Sequence, residues 1–265
     1  MNNAEYDSFS AYYDLEYGHK ENDLDFYLDM AEHFDSPVLE IGVGTGRVAL
    51  DLALNGFEVF GVDNSRQMLD IAENKLGHFK KKLKAPVHLL CADMRDFSLQ
   101  QKFTLAIIPF RAFLHNMTLQ DQLDTLKNIK RHLKPQGMLA LDLFVPLYSV
   151  MAQKEWHDKV EPHELAESGS GVSIDILVQH QPELQLLTIQ NTYNDKAGKE
   201  SHTATMKYRY IFRYEMEALL YAAGYKTVSV FGGFENQAYD FESGIMVFVA
   251  QALKGDETRD WILKK

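Results

Sequence analysis

Val38-Leu39-Glu40-Ile41-Gly42-Val43-Gly44-Thr45-Gly46-Arg47 decides the reading of this chain. Three apolar residues and Glu40 run into three glycines at alternate positions, and a helical pattern from Thr45 to Asn55 follows, closed by Gly56. A strand that passes through glycines into a helix lets the backbone turn sharply and approach a ligand, and the helix N-terminus favours negative charge. The spacing is G-x-G-x-G. A dinucleotide fingerprint wants G-x-G-x-x-G, and Arg47 stands where its third glycine would pack the helix against the strand. The glycines therefore point away from a nicotinamide cofactor.

Working outward, the same alternation of strand and helix continues to about Phe144. FEVFGVD (57–63) reads as a second strand and Ser65 to about Phe79 as a second helix; PVHLLCAD (86–93) and FTLAIIPF (103–110) read as the third and fourth strands. Leu119, Leu123, Leu126, Ile129 and Leu133 recur at helical spacing, with Thr118 and Asp121 placed to cap that helix and Pro135 and Gly137 to stop it. GMLALDLF (137–144) is a fifth strand. Near-continuous apolar strands separated by helices predict a mainly parallel sheet covered on both faces.

Beyond Phe144 the period changes. Val172 to Ile176 and Met206 to Tyr210 alternate, with LQLLTIQNTY (184–193) between them, which predicts an antiparallel meander with one wet face. Tyr214 to Ala223 then predicts a helix with Met216, Leu219, Leu220 and Ala223 inward and Gly224 past its end. YKTVSVF and GIMVFVAQ close the sheet as two more strands. The fold class expected is α/β, a doubly wound, mostly parallel seven-stranded sheet with a small antiparallel β insertion. The expected division is a helical segment at 1–35 over the ligand site and an α/β core at 36–145 and 212–253. An antiparallel insertion at 146–211 would serve as a substrate cap, and 254–265 would be a tail.

Composition narrows the partners. The chain has 265 residues, 46% of them hydrophobic, enough for one sizeable core. Lys and Arg number 27 against 38 Asp and Glu, a formal net charge of −11, which disfavours nucleic acid as a partner. Lys80, Lys81, Lys82 and Lys84 read as the solvated end of a helix. No apolar run reaches the length of a membrane span, and the acidic, aromatic N-terminus is unlike a secretory signal. The single Cys91 excludes an internal disulfide framework; together these features predict a cytoplasmic protein. The ten His form no pair at metal-ligand spacing, so no metal is expected.

Two acidic residues give the glycine loop its meaning. Asp63 ends the second strand, roughly twenty positions after Glu40, where a carboxylate can accept from both ribose hydroxyls. Asp93 follows the third strand in Ala92-Asp93-Met94, where it can accept from an adenine amino group while the next backbone N–H donates to the ring. Loop and both Asp fall at the carboxyl ends of adjacent strands, where open α/β sheets bind ligands. The combination predicts a nucleoside site.

With these residues on view, VLEIGVGTGR, VFGVDNSRQML, LLCADMRDF, FTLAIIPFRAFLHN and LKNIKRHLKPQGMLALDLF together resemble the class I S-adenosylmethionine-dependent methyltransferases over about 37–145. The resemblance implies a Rossmann-like methyltransferase fold that binds S-adenosyl-L-methionine. It places Gly42 and Gly44 at the methionine end of the cofactor, with Glu40 counted among the binding residues. Asp63 would hold the ribose, Asn64 and Met68 would lie beside the adenosine, Asp93 and Met94 at the adenine edge, and Phe110 beside the sulfonium. YYDLEY (12–17) and the meander are similar to small-molecule N- and O-methyltransferases, including amino-sugar and glycine N-methyltransferase types. An Arg often found near the start of the last strand in that branch is absent from Ser243-Gly244-Ile245-Met246.

The implied activity is methyl transfer to an N or O atom of a small-molecule acceptor. Such chemistry demands alignment and desolvation rather than a fixed set of catalytic residues. His115 is the candidate general base, its alternative being a loop histidine that fixes backbone. Tyr13 is the candidate to close over the cofactor, its alternative being packing of the N-terminal helix. Of Tyr208, Arg209 and Tyr210, one face at most can see a substrate. A non-catalytic S-adenosylmethionine-binding sensor or scaffold, and an NAD-dependent oxidoreductase, are the rival readings; homodimerisation is left open.

Overall fold

Short apolar segments form the strands because each can bury both of its faces, and the larger sheet of the computed structural model is built from them. The structure describes residues 4–165 and 171–254. The first five strands are β1 (Val38–Ile41), β2 (Val59–Asp63), β3 (Val87–Cys91), β4 (Phe103–Ile108) and β5 (Leu133–Phe144). A second set, β6 (Glu155–Val160), β7 (Ser173–Gln181), β8 (Leu186–Asn194) and β9 (Glu200–Arg209), precedes β10 (Tyr225–Phe231) and β11 (Ile245–Ala252). The seven-stranded sheet has the order β10-β11-β5-β4-β1-β2-β3. Neighbours from β5 to β3 run parallel, whereas β11 pairs antiparallel with both β5 and β10.

Among the described residues, seven α-helices accompany the strands: α1 (Ala4–Tyr17), α2 (Leu24–Phe34), α3 (Arg47–Asn55), α4 (Arg66–Phe79), α5 (Leu119–His132), α6 (Tyr148–Met151) and α7 (Arg213–Ala222). Alternate strand residues feed two cores. Leu39, Ile41, Leu139 and Leu141 pack with α5 and α7 on one face, and Val38, Val59, Leu105 and Ile107 pack with α2 and α3 on the other. Strand order reverses at β1, which lies between β2 and β4, and this opens a crevice at the carboxyl ends of these strands.

The small sheet is wholly antiparallel, in the order β6-β7-β8-β9. Its strand β6 went unread in the sequence because the covered face of EWHDKV sets the charged Asp158 between Trp156 and Val160 and breaks the apolar alternation. Inward residues of this sheet, Ile174, Tyr193, Ala204 and Met206, share a third core with Phe9 of α1. That helix lies between the two sheets, packed on both β9 and α4. The tail at 255–265 lies outside the described residues. No helix among the described residues is long and apolar enough to cross a membrane.

Local differences from expectation have physical reasons. α3 begins at Arg47 rather than Thr45, because Gly46 takes φ 80 and ends the loop in the left-handed region. α5 has the expected capping box between Thr118 and Asp121, but Leu119 is 54% exposed. The buried face of α5 instead includes Gln122, Thr125, Asn128 and His132 beside Leu126 and Ile129. Each polar group there has a partner. Thr125 donates to Asn116 Oδ1, Asn128 donates to the Met94 and Phe97 carbonyls, and His132 Nε2 accepts from the Leu99 N–H. Pro135 and Gly137 lie inside β5, and α5 has already ended where Leu133 turns extended.

Candidate cofactor and acceptor site

The glycine loop is held from below by β2. The N–H groups of Gly42 and Val43 both donate to the Val62 carbonyl, at 2.8 and 3.1 Å. Gly42 has φ 71, and a Cβ there would come within 2.5 Å of the Ala112 Cβ, so both the conformation and the space require glycine. Asp63 ties the loop to the start of α4: Oδ2 accepts from the Gly44 N–H at 2.8 Å and Oδ1 from the Ser65 N–H at 2.9 Å. Burial pushes the Asp63 carboxyl up, and these backbone N–H groups oppose the shift. The Asn64 N–H bonds to it as well, and since an ionised carboxylate has about four lone-pair sites, three amides do not exhaust it. Ser65 caps α4 through the Met68 N–H and donates to Asp7 of α1.

A cavity of about 390 Å³ opens at this sheet edge. Gly42, Gly44, Asp63, Asn64 and Met68 line one side, and Asp93, Met94 and Arg95 line the next. Phe110, Ala112 and His115 form the wall beyond β4, while Tyr6, Phe9, Tyr13 and Tyr17 of α1 form the roof with Tyr208 of β9. The residues singled out in the sequence thus converge on one cavity, except for Glu40.

Glu40 lies behind the loop, 2% exposed, and Oε2 has no hydrogen-bond partner among the described residues. Burial pushes its carboxyl up to about 8, and the charge of Arg47 opposes this. Arg47 itself pairs with Asp23 through both guanidinium nitrogens, at 2.5 and 2.6 Å, and donates to the Lys20 carbonyl. The residue that breaks the dinucleotide pattern therefore fastens the chain before α2 to the glycine loop.

Asp93 differs from the expectation of a carboxylate open to a ligand. Arg95 donates to it from its backbone N–H at 2.9 Å and from Nε at 2.8 Å, and its guanidinium also bridges to Asp121. This pairing holds Asp93 below the usual carboxylate range. Asp-x-Arg at the end of a strand was the available signal, and the reading of single residues passed over it.

At the other end of the cavity, His115 closes the 3-10 turn Ala112–His115. Its Nε2 is hydrogen-bonded to the Tyr6 hydroxyl, and its ring also bonds to the Lys207 backbone. Burial pushes the imidazole down to about 4, so it is neutral at ordinary pH. Burial likewise raises the phenols of Tyr6, Tyr13 and Tyr17, which stay protonated. Tyr208 lies in direct hydrogen-bond reach of Tyr6. The two residues after it do not line the cavity: Arg209 pairs with Glu215, and Tyr210, just past β9, is buried with its hydroxyl 3.1 Å from His180 Nε2. Tyr6, Phe9 and Tyr17 were missed in the sequence, where nothing links them to His115, about a hundred residues on.

α1 is fastened on both sides. Thr45 donates to Asp14 at 2.8 Å and Lys75 pairs with the same carboxylate at 2.6 Å. On the side of the small sheet, Tyr193 and Asn191 donate to the buried Glu16, and Tyr12 stacks on Tyr193 with centroids 3.9 Å apart.

A methyltransferase-domain family model matches residues 38–137. A cypemycin N-terminal methyltransferase of a Streptomyces species is 34% identical over 109 residues, 41% of this chain and 42% of that protein. The chain thus spans about two fifths of the length of the sequence relatives it matches. Over nearly the whole chain the fold is similar to the CcbJ methyltransferase of Streptomyces caelestis, with TM-score 0.82 and 24% identity, covering 94% of this chain and 97% of that one. It is also similar to CalS10, an amino pentose methyltransferase of Micromonospora echinaspora solved with S-adenosylmethionine bound, with TM-score 0.62 and 21% identity over 88% of this chain and 92% of that one. The chain thus carries a region similar to methyltransferase domains at 38–137, and over nearly its whole length its fold is similar to that of these solved methyltransferases.

Proposed function

We propose that the protein transfers the methyl group of S-adenosylmethionine to an N or O atom of a small molecule. The observation that carries this reading is the division of one cavity into a glycine-and-carboxylate end and a neutral aromatic end. The cofactor fits the first end by chemistry: a glycine cradle under Gly42 and Gly44, a carboxylate at Asp63 with acceptor capacity left, and the Asp93–Met94 edge. When bound, it supplies a methyl group on a positively charged sulfur that needs no acid to leave.

In this reading Gly42 and Gly44 hold the methionine end, Asp63 the ribose, Asn64 and Met68 the adenosine, and Asp93 and Met94 the adenine edge. Phe110 and Tyr13 flank the sulfur. Glu40 acts through the loop, biasing the field behind it rather than forming the wall. The roof from α1 and β9 excludes water, and the small sheet serves as the substrate cap. The neutral His115, with its Nε2 at the Tyr6 hydroxyl, is arranged to take a proton from an acceptor that Tyr6 contacts. The charged groups of the wall are Asp63, Asp93 and Asp121 with Arg95, which two of those carboxylates already engage, so a neutral amine or hydroxyl suits the cavity better than an anion. A cytoplasmic location belongs to the same proposal, Cys91 being a free, exposed thiol.

The test is ligand-dependent thermal stability followed by turnover. S-adenosylhomocysteine should raise Tm and NAD should not; the reverse would overturn the assignment. Transfer of labelled methyl to members of a panel of neutral amines and alcohols is expected. Tight cofactor binding without transfer across such a panel would favour the sensor or scaffold reading.

A further inference from the structure

Beside the cavity, the chain after β4 makes a turn that bulky residues avoid. Phe110 has φ 53 and Arg111 φ 64, two consecutive non-glycine residues in the left-handed region, closed by the Ala112 N–H to the Pro109 carbonyl at 3.3 Å. Such residues are strained and persist only where the surroundings impose them. What imposes the turn here is Asp142, on β5. Its Oδ1 accepts the Phe110 N–H at 2.7 Å and the Tyr27 hydroxyl of α2 at 2.9 Å. Asp142 is 3% exposed and Tyr27 fully buried, and Asp142 is not among the residues that line the cavity. From below, Ala112 abuts Gly42, so the turn and the glycine loop are set against each other.

We propose that Asp142 is the positioning residue for the sulfonium end of the cofactor site: its carboxylate, anchored to Tyr27, holds the Phe110–Arg111 turn left-handed and so aims the Phe110 ring. The proposal rests on the reading of the cavity as the S-adenosylmethionine site. Phe110 is the link to the ligand, since its ring lines the cavity with Tyr17 5.0 Å away.

The carboxylate also gives this device a pH dependence. Burial pushes Asp142 up to about 6, while the Tyr27 hydroxyl, the charge of Arg111 and the Phe110 N–H oppose the shift and Asp23 adds to it. The charge of Asp23 is met by Arg47, and the residue opposite Asp142 on β11 is the apolar Val247. Above that midpoint an ionised acceptor grips the Phe110 N–H; below it the grip weakens. Stability runs the other way. A carboxyl whose pKa is raised by folding favours the native state at low pH and loses that contribution as pH rises through the folded value. Cofactor grip and thermal stability should therefore move in opposite directions across this window, which a purely structural role would not produce.

The experiment follows the Phe110 backbone amide by NMR and S-adenosylmethionine affinity by calorimetry between pH about 5 and about 7.5, in the full chain. In the unsubstituted protein the amide should titrate with a midpoint near 6, and affinity should fall about fivefold or more toward the acid end. Asp142→Asn keeps an oxygen for the Phe110 N–H and should abolish both titrations. Tyr27→Phe removes a donor that favours the charged form and should move the midpoint upward. An amide that does not titrate, or an affinity unchanged across the range, overturns the role of Asp142 and leaves the cofactor site standing. Failure of both S-adenosylmethionine and S-adenosylhomocysteine to bind at any pH overturns the reading of the cavity itself.

Discussion

The two ends of the cavity are built on different principles. The end proposed for adenosine is made by backbone: glycines in left-handed conformations, amides tied to Asp63, and strand termini fixed by the parallel sheet. The end proposed for the acceptor is made by side chains from separate segments, namely Tyr6, Phe9 and Tyr17 of α1, His115 of the 3-10 turn and Tyr208 of β9. A ligand that is always the same can be gripped by fixed backbone, whereas a ligand that differs between relatives is met by exchangeable side chains on peripheral elements. The comparison predicts that changes at the first end alter binding and changes at the second alter turnover.

The hardest test of that division is Gly42→Val. A Cβ at φ 71, pressed 2.5 Å from Ala112, must displace the loop or the turn after β4. Cofactor affinity should drop on the order of a hundredfold, about 3 kcal/mol, measured by calorimetry. Asp63→Ala comes next. Loss of the ribose acceptor, together with the anchor for Gly44 and Ser65, should weaken binding about tenfold or more, roughly 1.5–3 kcal/mol, and lower Tm as well. If affinity stays unchanged in both variants, the adenosine end has been misplaced.

At the acceptor end, Tyr6→Phe keeps the ring and removes the hydroxyl at His115. Its turnover should fall about tenfold, a loss near 1.4 kcal/mol, with cofactor affinity nearly kept. A loss of affinity instead would merge the two ends into one binding surface. Behind the loop, Glu40 is raised to about 8 by burial, so it favours the folded state below its unfolded value and loses that contribution as pH rises through about 8. Glu40→Gln should accordingly flatten the decline of Tm that this group causes between its ordinary value of 4.5 and about 8. The smallest effect is expected at Leu119, where an exposed side chain contributes little; Leu119→Ser should change stability by less than about 0.5 kcal/mol in denaturant unfolding.

The same contrast explains what could be read in advance. VLEI, VFGVD and FTLAII announce themselves because a strand buried on both faces must be apolar throughout, and Asp63 and Asp93 follow from where those strands stop. Backbone-built features are local, so a short window of sequence contains them. Strand β6 escaped because Asp158 interrupts its apolar face between Trp156 and Val160, and Leu119 misled because helical spacing registers an apolar residue whether or not anything covers it. Gln122, Asn128 and His132 misled in the opposite sense. Their burial depends on carbonyls and amides of the segments after β3 and β4, which no pattern within α5 reveals. Tyr6 and His115 meet only because α1 crosses between the sheets, a tertiary fact with no periodic trace.

That crossing helix has one more consequence. Since α1 is bonded to α4 and the glycine loop through Asp14 and to the small sheet through Glu16, Tyr12 and the buried Phe9, the cavity-lining Tyr6 and Tyr13 can be exchanged while those anchors are kept. Under the proposed function, exchange at these two positions offers a route to new acceptors on an unaltered nucleoside grip, so retailoring can begin with a single helix.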